Sequence, residues 1–475
     1  MKEIPIEEIE FNVYSIADDV GRLFSWQGRL FRAIRSYQAE YVKTLFVSGL
    51  LEKLVKERLF PESQITEYFI EGFPLVVEHM RITPVIYSYE WSFSMLKDAA
   101  LTVLKINSIA QKYRYQLKDC HGYNILFDRL MPVFIDLGSF VPIKKGENWI
   151  AYEEFMRFYY YPLKMWSSGD SYVGRMSLFA EHGMMPHSSY YSYRFYIPLI
   201  KHIRRRLDKI FGLYFRYLRL NRSSLEKYKT KFPKYLYKIT AFLCKKGILP
   251  HKKVRMDLLL KKVERIKKPK CSSLWADYQD VYFAPNGEIK NISPRFARII
   301  DIVNSCSDIK SVIDIGGNKG AFSLCLLKET NVNKVLCLDY DEYAMDEMYI
   351  RFRNSTHRVD AIILQDVVRP VVTRNVQPPS ERFISDAVVA LALSHHLILS
   401  QRIAVEHVFE VIGSYSKKYV FIEFMPLGLY SSSKSPVPPA WYNINWFRKY
   451  FVMYFTLILE EELEKNRVLF FGTKK

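Results

Sequence analysis

SVIDIGGNKGAFSLCLL, residues 311–327, sets a β-branched run, an acidic residue, three glycines within five positions and an apolar run in direct succession. This order reads as a strand, a turn and the start of a helix. Such a unit makes a binding edge at the carboxyl end of a parallel sheet. The glycines Gly316, Gly317 and Gly320 give G-G-x-x-G rather than the dinucleotide fingerprint G-x-G-x-x-G, and no Gly-Lys-Ser/Thr of a phosphate loop follows. What stands there is Asp314-x-Gly316-x-x-x-Gly320, with Asp339 ending the next apolar run 23 residues after Gly316. Asp339 is placed to accept hydrogen bonds from ribose hydroxyls.

An acidic residue on the first strand suits a ligand that carries an amino group and no pyrophosphate, and S-adenosylmethionine is such a ligand. Around the turn the texture fits. From residue 273 onward short β-branched runs (SVIDI, KVLCLDY, VDAIILQD, DAVVALAL, YVFIEF) alternate with helical ones, which predicts a parallel sheet with helices on both faces. Two late runs, YFVMYFTLIL and RVLFFGT, separated by EEELEKN, read as a closing hairpin.

Asp-x-Gly-x-x-x-Gly followed by a strand ending in Asp resembles motifs I and II of class I methyltransferases, and the terminal hairpin is similar to the antiparallel strands that close their Rossmann-like sheet. The resemblance implies S-adenosylmethionine as cofactor. Asp314, Gly316, Gly317, Asn318 and Gly320 would line its methionine part, Asp339 would hold the ribose, and Asp366, ending the third strand, would face adenine. Acceptor chemistry is expected after the fourth strand, at ALALSHHLILS. Methyl transfer needs positioning and, for a hydroxyl acceptor, removal of a proton. A neutral imidazole of His395 or His396 suits that near pH 7, and Glu423 is a further catalytic candidate. Against this, one histidine could cap the strand, and Glu423 a loop. Trp275, Tyr278 and Tyr282 either stack on the cofactor or pack an entry segment.

The 475-residue chain is longer than one core usually serves, so several domains are expected. The boundaries read as 1–200, 201–272 and 273–475. The stretch 201–270 holds 24 Lys plus Arg against 4 Asp plus Glu, so it accounts for the whole of the chain's net charge of +19. Apolar residues at helical spacing among these cations predict basic amphipathic helices, suited to RNA or to an anionic membrane surface. Six scattered cysteines include no C-x-x-C pair, which argues against structural zinc or a disulfide framework, and no metal site is expected. No apolar run reaches the roughly 18 residues that span a bilayer, and the acidic start lacks the order of a signal peptide. The expectation is a cytoplasmic protein, soluble or held at the inner face of the membrane.

In the first part, LKDCHGYNILFDRLMPVFIDLGSF (117–140) places Asp119 and Asn124 five apart, then Asp136-Leu-Gly. This resembles the D-x-x-x-x-N and D-x-G of kinases, which implies an α+β kinase-like domain, with Asn124 and Asp136 as metal ligands only if it is active. No glycine-rich loop or strand Lys accompanies them. The whole chain also resembles a group of bacterial two-part, nodulation-related methyltransferases through YEWSF (89–93), LKDCHGYN, FIDLGSF, WADY (275–278) and HHL (395–397). That likeness implies methylation of a surface saccharide or its precursor. An RNA methyltransferase and a bifunctional kinase and methyltransferase are the alternatives.

Overall fold

In the computed structural model the described residues are 2–15, 18–144, 147–179, 184–191, 193–194, 255–269, 278–357, 359–371, 376–430 and 435–475, with single positions 202, 206, 209, 273 and 275. The chain divides into two compact units. One comprises Met1–Gln116, Gly122–Ile143 and Cys271–Lys475, and the other Leu117–His121 and Lys144–Lys270. Most of the segment expected to form basic helices lies outside the described residues. Within it, Met256–Glu264 is a helix that buries Leu259 and Val263, as the spacing predicts.

Near its start the first unit holds a five-stranded sheet, β1 (Glu10–Phe11), β2 (Gly21–Trp26), β3 (Arg29–Ile34), β4 (Ser63–Ile65) and β5 (Leu75–His79), in the antiparallel order β1-β2-β3-β5-β4, beside a short parallel pair of Lys2–Glu3 and Tyr68–Phe69. Alternation puts Phe24 and Phe31 on one buried face, their rings stacked at 5.4 Å. Helices α1 (Ala39–Val47) and α2 (Leu50–Lys56) interrupt the sheet. The YEWSF stretch forms a 3₁₀ turn at Ser88–Glu90 and then opens α3 (Phe93–Lys112), where the Ser92 hydroxyl accepts the Met95 N–H as N-cap. A hairpin of β6 (Ile125–Asp128) and β7 (Met131–Phe134) precedes the Asp136-Leu-Gly turn.

The rear of the same unit alternates α4 (Pro294–Ser305), β8 (Ser311–Ile315), α5 (Ala321–Glu329), β9 (Lys334–Asp339), α6 (Glu342–Phe352), β10 (Ala361–Leu364), α7 (Pro379–Arg382), β11 (Ser385–Ala390), α8 (Val405–Ser414), β12 (Ser416–Phe424), α9 (Ile444–Tyr454), β13 (Phe455–Glu464) and β14 (Arg467–Lys474). The seven strands lie in the order β10-β9-β8-β11-β12-β14-β13, parallel except for β14, which runs against β12 and against its hairpin partner β13. This is the Rossmann-like arrangement of class I methyltransferases. The central strands β8 and β11 are apolar and buried on both faces, as a sheet covered by helices requires.

The closing hairpin lies further along than the apolar pattern suggests. Asn443 caps α9 through the Trp446 N–H, and this helix takes up YFVMY. The strand is FTLILEEELE, with the turn at Lys465 and Asn466. Its glutamates lie on this edge strand, where two of them pair with cations, Glu460 with Arg448 and Glu461 with Arg298.

The front and rear of this unit meet through buried polar contacts. Glu90 and Arg382, each with a side chain 1% exposed, form a bidentate ion pair at 2.8 and 2.6 Å, and Arg382 also donates to the carbonyls of Val85 and Gln377. Asp346 on α6 accepts the N–H and hydroxyl of Ser94 at 2.7 and 3.1 Å, and Asp98 on α3 accepts from Tyr349 and Arg353. Removing one partner of a buried pair strands the other charge. Glu90→Gln is therefore expected to lower stability by about 3 kcal/mol or more, with front and rear still unfolding in one transition. Urea denaturation followed by tryptophan fluorescence and by circular dichroism checks both points. A loss below about 1 kcal/mol, the range of exposed pairs, would rule the pair out as a structural joint.

Candidate functional site

The site is built on the carboxyl edge of β8, β9 and β11. After Ile315 the chain passes through Gly316 and Gly320 in the left-handed region (φ 77° and 81°), with Asn318 at φ 51° between them, and enters α5. The glycines answer to different constraints. A Cβ on Gly317 would lie 2.3 Å from the Cys337 sulfur and 2.9 Å from Asp314 Oδ2, and one on Gly320 2.5 Å from Met348 Cε. Those two are fixed by packing of the turn on β9 and α6. At Gly316 a Cβ would meet only Leu393 Cδ1, at an ordinary 3.5 Å, so the left-handed backbone is what selects glycine there.

Asp314 is buried and accepts the Ser323 hydroxyl at 2.8 Å. Burial pushes its carboxyl up to about 7, and the charge of Asp339 adds to the rise. Asp339 does end β9. Its Oδ2 accepts the Asn318 N–H and its Oδ1 the Asp341 N–H, both at 2.9 Å, and burial pushes it up to about 6. Each oxygen keeps a second lone pair for a ligand. Asp366 stands two residues past β10, where it accepts the N–H groups of Val368 and Arg369.

The histidines lie beyond the strand rather than at its end: β11 stops at Ala390, Ala392 takes φ 51°, and His395 and His396 open a π-helical turn. Their rings are 4.0 Å apart, and His396 meets the edge of Trp275 at 4.9 Å. His395 is only 5% exposed, and burial, with His396 and Arg467 adding, pushes it down to about 3; burial lowers His396 too.

Glu423 lies within β12 and is fully buried between cations. Arg295 Nη1 reaches both its oxygens at 3.3 Å, Arg467 Nη1 reaches Oε2 at 3.0 Å, and the Ala392 N–H donates to Oε2 at 2.9 Å. One of its oxygens thereby holds the turn after β11, the loop-holding alternative weighed for it beside a catalytic role. The Ser394 hydroxyl donates to its carbonyl at 2.7 Å.

Trp275 and Tyr278 stand over this edge, Tyr278 receiving a bond from Arg467 Nη2 at 2.8 Å. Tyr282 packs instead on Phe296. Sequence reasoning missed Gln279, Arg295 and Arg467, which carry no motif and reach the site only through tertiary packing. The buried polar atoms at this edge with no hydrogen-bond partner include Asn318 Oδ1 and His395 Nδ1. Those two orphans, the acidic pair and the open left-handed turn fit a ligand with ribose hydroxyls and a cationic end.

Of the kinase-like residues, Asp119 belongs to one compact unit and Asn124 and Asp136 to the other. Asp136 accepts the Gly138 N–H at 3.0 Å and the Ser139 hydroxyl, and lies 3.9 Å from Arg32 Nη1, itself paired with Asp18 at 2.6 Å. In the second unit, burial and the Asp119 carboxylate push Glu154 up to about 7. Among the described residues no cluster of His, Cys, Asp and Glu could hold a metal ion, and no helix is long and apolar enough to cross a membrane.

No family model matches the chain. It is 25% identical to the nodulation protein NoeA of Rhizobium meliloti (strain 1021) over 446 residues, 87% of this chain and 84% of that one. Among solved structures it is similar to magnesium protoporphyrin IX methyltransferase (ChlM) of Synechocystis PCC 6803 with bound SAM, at TM-score 0.32 and 12% identity over 43% of this chain and 92% of that one. The 16S rRNA methylase ArmA gives TM-score 0.29 and 13% identity, over 42% and 96%.

The buried Asp314 gives a signed pH dependence. Its folded value near 7 lies above its ordinary 3.8, so the folded state binds the extra proton between these values. Its contribution is fully present below about pH 4 and is lost as pH rises through 7. Asp314→Asn keeps an acceptor for Ser323 and is expected to gain on the order of 2 kcal/mol more, relative to the parent, at pH 8 than at pH 5. Urea denaturation at the two pH values checks this. Equal gains would place the titration elsewhere.

Proposed function

We propose that the chain is an S-adenosylmethionine-dependent methyltransferase acting on a hydroxyl of a small, saccharide-type acceptor. The observation that carries the reading is the pair Asp314 and Asp339 flanking a glycine turn at the carboxyl edge of a seven-stranded sheet of class I order. Asp339 would take the ribose hydroxyls, Asp314 with the turn at Gly316, Gly317, Asn318 and Gly320 would hold the methionine part, and Asp366 would face adenine. Bound there, the cofactor supplies a sulfonium methyl group open to in-line attack.

The chain's own part is to orient the acceptor and take a proton. As the methyl group is transferred, the acceptor's hydroxyl proton would leave to a base of the chain. His395, held neutral by burial, packs its ring 4.0 Å from that of His396 and sets its position. His396, half-buried at the mouth beside Trp275, receives the proton. The chain is similar to a nodulation protein along most of its length, and the front part would present the acceptor.

Calorimetric titration with S-adenosylhomocysteine tests the cofactor half. Binding by the parent and weakening of about tenfold or more in Asp339→Asn, equivalent to about 1.4 kcal/mol, are expected. Unchanged affinity in that variant would sink the assignment. His396→Ala should bind the same ligand normally while losing methyl transfer from radiolabelled cofactor to saccharide fractions. Transfer to RNA instead, with affinity falling steeply as salt rises, would favour the RNA reading over the saccharide one.

A further inference from the structure

Trp275 and residues 278–282 form a strap along the glycine turn, tied to it residue by residue. Gln279, 7% exposed, donates from Nε2 to the Gly317 carbonyl at 3.2 Å and accepts the Ala321 N–H on Oε1 at 3.0 Å. Asn318 Nδ2 donates to the Trp275 carbonyl at 3.3 Å, and Lys319 Nζ to Asp280 Oδ1 at 2.6 Å. Four of the five residues from 317 to 321 thus hold a partner on the strap. The far side of the strap reaches the acceptor edge, through Trp275 on His396 and Tyr278 on Arg467.

The first turn of a helix leaves N–H groups unpaired, and a side chain at the N-cap ordinarily takes one. Here the N-cap of α5 is Gly320, which has no side chain to offer, and the 2.5 Å clearance to Met348 forbids one. The cap comes instead from 42 residues upstream. It must both donate and accept, because the same group also meets a carbonyl. Among side chains of this length only an amide does so: a carboxylate accepts without donating, an ammonium donates without accepting, and a thioether leaves both backbone groups unpaired.

Resting on the methyltransferase reading, we propose that Gln279 is a positioning residue for the cofactor. Its amide fixes the Gly317–Ala321 turn in the shape that sets the Asn318 N–H on Asp339. That shape keeps the Asp339 carboxylate aimed where ribose hydroxyls would lie, and the strap carries the same constraint to Trp275 and His396. Gln279 acts through the turn and need not touch the cofactor.

The test compares the parent with Gln279→Met and Gln279→Glu, by calorimetric titration with S-adenosylhomocysteine at 15 °C and by thermal unfolding. Both variants are expected to weaken binding tenfold or more while circular dichroism shows them fully folded at that temperature. The isosteric Gln279→Glu adds a readout that mere loss of stability would not produce. Ionised, the new carboxylate cannot donate to Gly317; protonated, it can. The deficit of this variant relative to the parent should therefore shrink between pH 8 and pH 5.5, while that of Gln279→Met stays constant. Asp314, Asp339, Asp341 and Asp280 also surround the turn, with Lys319, and are common to all three proteins, so the ratio of affinities removes their titration. Affinity within twofold of the parent in either folded variant, or a deficit of Gln279→Glu that does not change with pH, overturns the proposal. If Gln279→Met does not fold, Gln279→Glu decides. Failure of the parent itself to bind would overturn the methyltransferase reading, and the positioning role with it, and is told apart because no variant is then needed.

Discussion

The buried carboxylate of Glu423 is the point on which the rear site depends. A lone ionised group with no exposure would be prohibitively costly, and it is tolerated because Arg295, Arg467 and the Ala392 N–H surround it. Each partner comes from a different element. Arg295 belongs to α4, Ala392 to the turn after β11, and Arg467 to β14, whose guanidinium goes on to Tyr278 of the strap. The need to neutralise one charge therefore joins the entry helix, the acceptor turn and the closing hairpin. It also explains how Ala392 is held at a positive φ that costs a non-glycine residue free energy, an arrangement that brings His395 and His396 together beside Trp275.

On the other side of the same edge the charge balance is reversed. Asp314 and Asp339 are buried close enough for the charge of Asp339 to raise the proton affinity of Asp314, the Arg295 charge offsets this only in part, and their hydrogen-bond partners are neutral donors: a serine hydroxyl and backbone N–H groups. Such a pair is poorly satisfied near neutral pH. A ligand bringing a positive charge and hydroxyl donors would relieve it, whereas a pyrophosphate would aggravate it. The preference is written in electrostatics rather than in shape, and it agrees with the G-G-x-x-G spacing, which places Ile315 where the dinucleotide fingerprint has its first glycine.

How much of this was legible in the sequence follows from the range of the interactions. Asp314, the glycines and Asp339 were readable because a strand, a turn and a helix start are local, and the 23-residue step to Asp339 is the length of one helix and the next strand. The sheet class followed from the alternation of runs. The boundary between α9 and β13 was misread because FVMYF is apolar in either state, and the cap at Asn443 decides it. The cationic partners of Glu423 were hidden because the two arginines stand 128 residues before and 44 residues after it. Gln279 was hidden for the same reason, since nothing local marks an amide that caps a helix 42 residues away.

The front part bears on the rear sheet through the 3₁₀ turn Ser88–Glu90 and α3, at the flank that a Rossmann-like order leaves at β10. That strand has four residues and, among the described residues, no further strand beside it. An unpaired edge is ordinarily blunted by charge, by shortness or by covering it. Here the 3₁₀ turn Ser88–Glu90 packs alongside β10 while α3 packs on α6. Glu90, Asp98 and the Ser94 N–H supply the polar partners that Arg382, Arg353, Tyr349 and Asp346 require when buried. Without the front residues, Arg382 and Asp346 would be charges on a bare flank, held away from water by nothing. The YEWSF stretch is thereby as much a part of the rear sheet's architecture as of the front one, which accounts for a contiguous unit whose residues come from both ends of the chain.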